Sequence, residues 1–484
     1  MKDKKISFKK KNQKKRQLKI STLALIKAYS LKEWLVLIRN LNIQYPDREK
    51  DVHFRGEFLV IAADMALRIS NIKKVNHNNP TEQDCRKLVN ADIQLSDDNQ
   101  NLIKMFGLGG VSLLASWQNR FHYNRSNMLA RIHLLYQKFD SHLLSGIGIS
   151  LKDIYIILLA IYSVYEIKRK VFIKIENLHN PSIESLTLEK IKAFFSYFST
   201  TQSNYIQEAK KDKIYENCFG KFRYLTRYPI IELSENEYII PVFDQLIDTI
   251  SNNLYFILLE YFQTQGKDAS KSYLDTFGNI LENYVHILTK EVFGSEYIVP
   301  ADKIVLNKKE YRCEFVVFHD ENVLAIEVKK MHFKRDSIVD KDKKSIDEIL
   351  ERHLVKAFMQ IENTFNYIQQ KNLYGLIVIP DILIGFSTLM RYMKKEFVSR
   401  ARFDDNIFIC TLSWYEALMA NSPNMIFNIL EKTKNRGEHE GNDIILVMQS
   451  IELEGMAILE DNQMLQKIGN YILKSIETQG KTKI

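Results

Sequence analysis

The segment Val323-Leu-Ala-Ile-Glu-Val-Lys329 is the strongest indication of the fold of the C-terminal third of the chain. In a β-strand its side chains alternate between two faces, so Glu327 and Lys329 share one face with Val323 and Ala325. A strand this apolar is expected near the centre of a sheet, where burying a charge without a partner costs several kcal/mol. The glutamate and lysine at its end therefore indicate a functional site.

A second glutamate, Glu314, lies on the preceding predicted strand, Tyr311-Arg-Cys-Glu-Phe-Val-Val-Phe318. The short turn over residues 319–322 makes the two strands antiparallel neighbours, so Glu314 and Glu327 are expected to converge beside Lys329. Two carboxylates held close repel each other, and a divalent cation relieves that repulsion. Oxygen ligands of this kind suit Mg²⁺, with Mn²⁺ as the alternative.

These residue types together favour phosphodiester hydrolysis. A metal ion held by the glutamates can polarise a phosphodiester and lower the pKa of a bound water. A nearby ammonium such as that of Lys329 can orient the nucleophile and offset the charge that develops in the transition state.

The surrounding pattern predicts a mixed sheet covered by helices on both faces, in an α/β domain over residues 266–420. The predicted element order is α-β-β-β-α-β-α-β-α. The helices are expected at 273–292, at 345–370, from Ser387 and from Ser413, and the strands at 297–306, 311–318, 323–329, 373–380 and 407–412.

At this point the domain resembles the PD-(D/E)XK nuclease superfamily, whose fold is the restriction-endonuclease-like fold. That family has an α-β-β-β-α-β core, an acidic residue on the second strand and (D/E)xK on the third. The matching residues here are Glu314 and Glu327-Val-Lys329, with twelve residues between the two glutamates. The resemblance implies a metal-dependent nuclease in which Glu314, Glu327 and Lys329 are catalytic and the two glutamates bind Mg²⁺.

The resemblance also implies two further site residues. Many members carry a glutamate on the first helix, and Phe277-Gly-Asn-Ile-Leu-Glu-Asn-Tyr-Val285 is similar to that segment, with Glu282 as the metal ligand. Several branches place a glutamine on the helix after the motif strand, and Gln360 is the match. One departure is that the second-strand acid is usually Asp preceded by Pro, whereas Glu314 follows Cys313. Asp302 on the preceding strand is the alternative ligand.

Two residues that follow the motif strand, Lys330 and His332, either touch phosphate or belong to a solvated loop. Trp414 and Tyr415 begin the last helix of the domain, and we expect both in its core.

The N-terminal half contains no reactive constellation. Apolar residues recur at helical spacing over residues 20–222, as in Leu31-Trp34-Leu35-Ile38, which predicts a mostly α-helical domain. A β-hairpin within Tyr228–Pro241 and a following helix are expected to connect the two halves over residues 223–265. A helical extension is expected at 421–484. The helical region is predicted to sense or bind a partner protein, or to form a homodimer.

The net charge of +9 comes from the first residues of the chain. Residues 1–20 hold ten basic side chains against one acidic one, while the rest of the chain has 58 of each sign. A block this dense predicts a solvated, disordered tail over residues 1–19. A nucleic-acid-binding arm and a membrane-surface anchor are the alternatives.

The cysteine spacing and the hydropathy of the chain bear on its cellular compartment. The four cysteines lie far apart and have no metal-ligand spacing, so free buried thiols in a reducing cytoplasm are expected. The most apolar stretch, 154–164, is too short to span a bilayer, and we expect no membrane association.

Taken with the resemblance, the constellation predicts a magnesium-dependent DNA endonuclease, with a role in bacterial restriction or phage defence implied by that resemblance. RNA is the less favoured substrate, because the sequence has no RRM, KH or zinc-knuckle signal. The alternative is an inactive nucleic-acid-binding or protein-interaction module that keeps the nuclease fold.

Overall fold

A computed structural model describes residues 2–44, 56–70, 78–96, 125–211, 225, 227–305, 311–331, 343–380, 386–435, 444, 447–448 and 462–481. The chain forms two compact units. Unit one comprises Met1–Asn99, Tyr136–Tyr261 and Lys474–Ile484, and unit two comprises Gln100–Leu135 and Phe262–Leu473. Each unit combines helices with one small mixed sheet, so the predicted combination of a helical region and an α/β domain is confirmed at this level.

Unit one is mostly helical, as its apolar periodicity predicts. Trp34 is fully buried and its indole N–H donates to the Ile26 carbonyl at 3.1 Å, which ties the first two helices together. The helices are Lys2–Lys27, Leu31–Gln44, Gly56–Ile69, Glu82–Ser96, Asp140–Ile147, Leu151–Tyr162, Ile175–Leu178, Leu188–Phe198, Gln202–Lys211 and most of Phe243–Thr264.

Unit one also contains a four-stranded sheet. Its strands are β1 (Ile173–Lys174), β2 (Ser199–Thr201), β3 (Ile230–Ser234) and β4 (Glu237–Ile239), in the order β1-β4-β3-β2. The predicted hairpin is present as the antiparallel pair of β3 and β4. Its outer edges pair with β1 and β2, so the hairpin is an integral part of unit one and not a connector.

The first residues of the chain also differ from expectation. Residues 1–19 were predicted as a disordered tail, but the helix Lys2–Lys27 includes them from residue 2 onward. Lysine, arginine and glutamine have high helix propensity, so the segment extends the helix formed by the apolar stretch 20–26.

Unit two has the element order that the sequence predicts. Its strands are β5 (Ile298–Pro300), β6 (Phe315–His319), β7 (Asn322–Val328), β8 (Asn372–Ile379) and β9 (Ile407–Thr411). Its helices are Lys267–Phe293, Lys343–Leu350, Lys356–Phe365, Phe386–Glu396, Leu412–Leu418 and Pro423–Asn435, together with most of Arg125–Tyr136 and most of Gln463–Lys481. The first strand is shorter than the predicted 297–306, because a 3₁₀ turn, Ala301–Lys303, follows Pro300.

The five strands form one mixed sheet in the order β5-β6-β7-β8-β9. β5, β6 and β7 are antiparallel neighbours, and β8 and β9 continue in parallel to β7. The motif strand β7 is therefore central, and it is buried from Val323 to Val328. This position explains its almost uninterrupted apolar sequence.

The helix Lys356–Phe365 packs closely on the sheet face that carries Ala325 and Glu327. Gly375 on β8 pairs with Ala325, and a Cβ added to this glycine would lie 2.7 Å from Ile361 Cγ2. Because real Cβ atoms do not approach other atoms so closely, the glycine sets the distance between helix and sheet. The same helix carries Gln360.

A buried ion pair joins three helices of unit two. The Arg131 guanidinium donates to both carboxylate oxygens of Glu416, each at 2.6 Å, and the Tyr284 hydroxyl donates to Glu416 at 2.6 Å. Residues 125–135, which are part of the predicted N-terminal helical domain, 20–222, belong to unit two. The predicted boundary at 266 therefore does not mark the start of the compact unit.

Other predictions about the core are confirmed. Trp414 and Tyr415 are buried. Cys85, Cys313 and Cys410 are buried free thiols, and Cys218 lies outside the described residues.

Within the described ranges, no single helix is long and apolar enough to cross a membrane. One bent pair, Asn127–Ile147 with Leu151–Ile167, reaches that threshold only when the two helices are taken together.

Candidate active site

The pairing of β6 with β7 brings the two predicted acidic residues together. Phe315 pairs with Ile326, and the Glu314 N–H donates to the Ile326 carbonyl at 3.1 Å. Continuing this register by one residue places Glu314 opposite Glu327. The backbone register therefore brings Glu314 and Glu327 together, as the two sequence motifs predict.

Glu327 is a fully buried carboxylate. Its Oε1 accepts a hydrogen bond from Lys329 Nζ, and its Oε2 accepts none from any residue that the structure describes. The pKa of Glu327 is raised to about 7: burial is the largest cause, Lys329 lowers the pKa, and Glu314 and Glu282 raise it. A buried carboxylate with a hydrogen bond on only one oxygen destabilises the fold. Such groups are more typical of functional residues than of structural ones.

Lys329 joins Glu327 to Gln360. Its ammonium donates to Gln360 Oε1 at 2.8 Å, and Gln360 Nε2 donates to the Arg312 carbonyl at 2.8 Å. Gln360 is nearly completely buried, and hydrogen bonds hold both the oxygen and the nitrogen of its side-chain amide. The structure thus places this predicted residue in direct contact with the motif lysine.

A second set of hydrogen bonds fixes the backbone next to Glu314. The Thr364 hydroxyl donates to the Gln360 carbonyl at 2.7 Å and accepts from the Cys313 N–H at 3.1 Å. Since Thr364 is fully buried one turn after Gln360, the helix and the start of β6 are locked together. This connection was not apparent in the sequence.

Glu282 lies on the helix Lys267–Phe293, and its charge contributes to the raised pKa of Glu327. Lys330 fastens this helix to the end of β7, because its Nζ donates to the Leu274 carbonyl at 2.6 Å and lies 3.4 Å from an Asp275 carboxylate oxygen. Lys330 is thus an anchor for the Glu282 helix.

Of the two other candidates, the structure describes only Asp302. Asp302, the alternative ligand, is exposed in a 3₁₀ turn. His332 lies outside the described residues.

The carboxylates of this cluster are of the type that binds divalent metal ions. In the parts of the chain that the structure describes, no three or more histidine, cysteine, aspartate or glutamate side chains are grouped closely enough to enclose a cation. Magnesium sites at phosphodiesters, however, use one or two carboxylates and complete their shell with water and substrate oxygens. The uncommitted Oε2 of Glu327 and the carboxylate of Glu314 fit that donor set.

One residue near the site was not predicted. His353 lies on a π-helical turn, Glu351–Val355, seven residues before Gln360. No sequence signal ties it to the site, because the π-helical turn interrupts the regular helical spacing between His353 and Gln360.

No known family, curated protein or solved structure was found to match this chain.

Proposed function

We propose that unit two is a metal-dependent nuclease that hydrolyses phosphodiester bonds in DNA. The observation that carries this proposal is the buried Glu327 carboxylate, which has Lys329 on one oxygen and no hydrogen-bond donor from the described residues on the other. The order and directions of the five strands support the resemblance to the restriction-endonuclease-like fold.

A divalent cation explains the arrangement of acidic residues better than a purely structural role does. The charges of Glu314 and Glu282 disfavour ionisation of the buried Glu327, so placing them within electrostatic reach of it opposes folding. Glu327 and Glu314, with Glu282 contributing charge, would hold Mg²⁺ or Mn²⁺. When bound, such an ion supplies Lewis acidity and an activated water.

The chain's own groups have distinct tasks in this proposal. Glu327 and Glu314 bind the cation and orient the substrate phosphate. Lys329 carries a fixed positive charge next to the reacting phosphate, where it offsets developing negative charge. Gln360 keeps the Lys329 ammonium aimed at the site through the 2.8 Å contact.

DNA is proposed as the substrate because phosphate contacts supply most of the affinity for nucleic acids, and the chain's surplus of positive charge is concentrated in residues 1–20. Unit one would then act in recognition or regulation. We place the activity in bacterial restriction or phage defence, which the family resemblance implies.

The test is a plasmid cleavage assay with the full-length protein in Mg²⁺, Mn²⁺ or EDTA. Wild type is compared with Glu327→Gln and with Glu321→Gln, a matched control that removes the same charge from the exposed turn before β7. We expect nicking or linearisation in either metal, no cleavage in EDTA, a loss of at least about a hundredfold in Glu327→Gln, and full activity in Glu321→Gln.

Cleavage that persists in Glu327→Gln would place the active site elsewhere. Cleavage of RNA but not DNA under the same conditions would identify RNA as the substrate and leave the assignment of the site unchanged.

A second candidate is an inactive nucleic-acid-binding module that keeps the fold. It is favoured by the contact between Lys329 and Glu327, because an internal ammonium already compensates part of the buried charge without a metal. Calorimetric titration with Mg²⁺ and Mn²⁺ separates the two candidates. Metal binding that is lost in Glu327→Gln supports the nuclease, and metal-independent DNA binding without turnover supports the binding module.

A further inference from the structure

Three side chains of the helix Lys356–Phe365 bind three consecutive backbone positions just before Glu314. The bonds run from Asn363 to the Tyr311 carbonyl, from Gln360 to the Arg312 carbonyl, and from the Cys313 N–H to Thr364. Gln360 also accepts from the Lys329 ammonium at 2.8 Å. One helix therefore holds both the motif lysine after β7 and the segment that leads into Glu314.

Glu314 lies at the end of the regular pairing between β6 and β7, because β6 begins one residue after it. Its N–H donates to the Ile326 carbonyl at 3.1 Å, and its carbonyl accepts from the Ala301 N–H at 3.2 Å. Thr364 holds the preceding N–H, that of Cys313, at 3.1 Å. The helix thus extends by one residue the hydrogen bonding that fixes the backbone around Glu314.

The Thr364 hydroxyl connects the helix to this segment through both of its hydrogen-bonding roles. It is fully buried and donates to the Gln360 carbonyl, four residues earlier, at 2.7 Å, so its proton is used within the helix. Its oxygen remains an acceptor for the Cys313 N–H. A buried N–H that loses its acceptor is destabilising, so removal of this hydroxyl should release Cys313 from the helix.

We propose that Thr364 is a positioning residue that holds Glu314 where its carboxylate can share a divalent cation with Glu327. This inference rests on the proposed function. Outer hydrogen-bond partners orient metal ligands, and their loss typically costs about 10–100-fold in metal affinity. Thr364 acts through the backbone of Cys313, so its loss should have an effect at the lower end of that range. The loss should be at least as large for Mg²⁺ as for Mn²⁺, because Mg²⁺ demands near-ideal octahedral geometry.

The experiment measures the affinity of the full-length protein for Mg²⁺ and for Mn²⁺ by calorimetric titration without nucleic acid, so the readout does not depend on cleavage. The variants are Thr364→Val, which removes the hydroxyl and keeps the shape of the side chain, and Thr364→Ser, which keeps the hydroxyl. Thr433→Val is the matched control, because Thr433 is also fully buried and donates to the carbonyl four residues earlier, that of Ile429, at 2.7 Å. Urea unfolding of the metal-free variants measures their stability.

We expect Thr364→Val to raise the Kd for both metals about tenfold, while Thr364→Ser stays within about twofold of wild type. Thr433→Val should bind both metals as wild type does. Both valine variants should have lower unfolding midpoints, because each loses a buried hydrogen bond. Lower stability of Thr364→Val with unchanged metal affinity, or no rescue by serine, would show a purely structural role and overturn the inference.

Asn363→Ala tests the same connection if Thr364→Val does not fold. Asn363 is half-buried on the same helix, and the substitution releases only the Tyr311 carbonyl. Its Kd for both metals should rise about threefold, as expected for the loss of one hydrogen bond. Wild-type affinity in Asn363→Ala would then overturn the inference.

Failure of the proposed function gives a different result in the same titrations. If wild type binds metal and Glu327→Gln does not, equal affinities of wild type and Thr364→Val show that only the inference about Thr364 is wrong. If wild type binds neither Mg²⁺ nor Mn²⁺, the proposed function and the inference are both overturned.

Discussion

The described part of unit two contains two buried glutamates, and their hydrogen bonds differ. Glu416 receives hydrogen bonds from Arg131 on both oxygens and from Tyr284 on one of them. Glu327 receives one bond, from Lys329, and its other oxygen has no donor among the described residues. Both carboxylates are buried, so burial alone does not indicate function. The difference in hydrogen-bond satisfaction distinguishes a structural ion pair from a candidate site.

The helix Lys267–Phe293 connects these two glutamates. Its Tyr284 bonds to Glu416, while Glu282, two residues earlier, acts electrostatically on Glu327. The structural ion pair therefore holds in place the helix that supplies a candidate metal ligand. We infer that Arg131 and Glu416 serve the site by fixing this helix.

The largest expected effect comes from breaking the structural pair. Arg131→Met leaves the Glu416 carboxylate buried without its counter-ion, which should lower the free energy of unfolding by about 3–5 kcal/mol. Urea denaturation measures the loss. The exposed lysine change Lys395→Met is the control and should cost less than about 0.5 kcal/mol.

The double variant Arg131→Met/Glu416→Leu tests the cause of that loss. Removing both charges should recover part of the stability, since no unpaired carboxylate remains. A loss below about 1 kcal/mol in the single variant would contradict the assignment of this pair as a structural element. A fragment that begins at residue 266 lacks Arg131, so it should show the same weakness and is a poor test of the nuclease.

The second-largest expected effect is the contribution of Glu327 to the pH dependence of the free energy of unfolding. Its pKa is about 7 in the folded protein against a normal value of 4.5. Between pH 4.5 and about pH 7, Glu327 retains a proton in the folded state that it has lost in the unfolded state. Glu327 therefore makes the free energy of unfolding decrease as the pH rises. The decrease from pH 4.5 to pH 8 should be on the order of 3 kcal/mol in EDTA.

Urea unfolding at several pH values measures this contribution as the difference between wild type and Glu327→Gln. The variant should lack the decrease and be more stable than wild type at pH 8, while Glu321→Gln should follow wild type. Parallel pH profiles of Glu327→Gln and wild type would show that Glu327 is as well compensated as Glu416, and the contrast between them would be lost.

Most of the α/β architecture could be predicted because its determinants are local. The runs of valine, isoleucine and phenylalanine in β6, β7, β8 and β9 are long enough to define strands, and alternation along β7 identifies the face of Glu327. Glu314 was found because a short turn makes β6 and β7 antiparallel neighbours, whereas Gln360 was expected only from the family resemblance. The family resemblance itself stays a prediction.

The missed features depend on residues far apart in sequence. Arg131 and Glu416 are separated by 285 residues, and nothing in either local segment indicates a partner. The same holds for the strands β1 and β2, which have only two and three residues and gain their structure from the β3–β4 hairpin. The π-helical turn at His353 also has no sequence signature, since its residues fit an ordinary helix.

The smallest expected effect tests how closely the Gln360 helix must approach the face of Glu327. Gly375→Ala places a methyl group 2.7 Å from Ile361 Cγ2 and 2.9 Å from Ile407 Cγ1, and we expect the Ile361 helix to shift, at a cost of about 1–3 kcal/mol. Gly278→Ala is the matched control. Its added Cβ meets only the flexible Lys330 side chain at 3.4 Å, and alanine favours the helix, so stability should stay within about 1 kcal/mol of wild type.

Gly375→Ala should also lower cleavage more than its stability loss explains, because the shifted helix moves Gln360 away from Lys329. Urea unfolding and the plasmid assay, both below the unfolding midpoint, measure the two effects separately. Equal activity in Gly375→Ala and Gly278→Ala would show that the site tolerates this displacement. The contact between Gln360 and Lys329 would then have a structural role, like the ion pair of Glu416. The functional assignment would rest on the carboxylates alone.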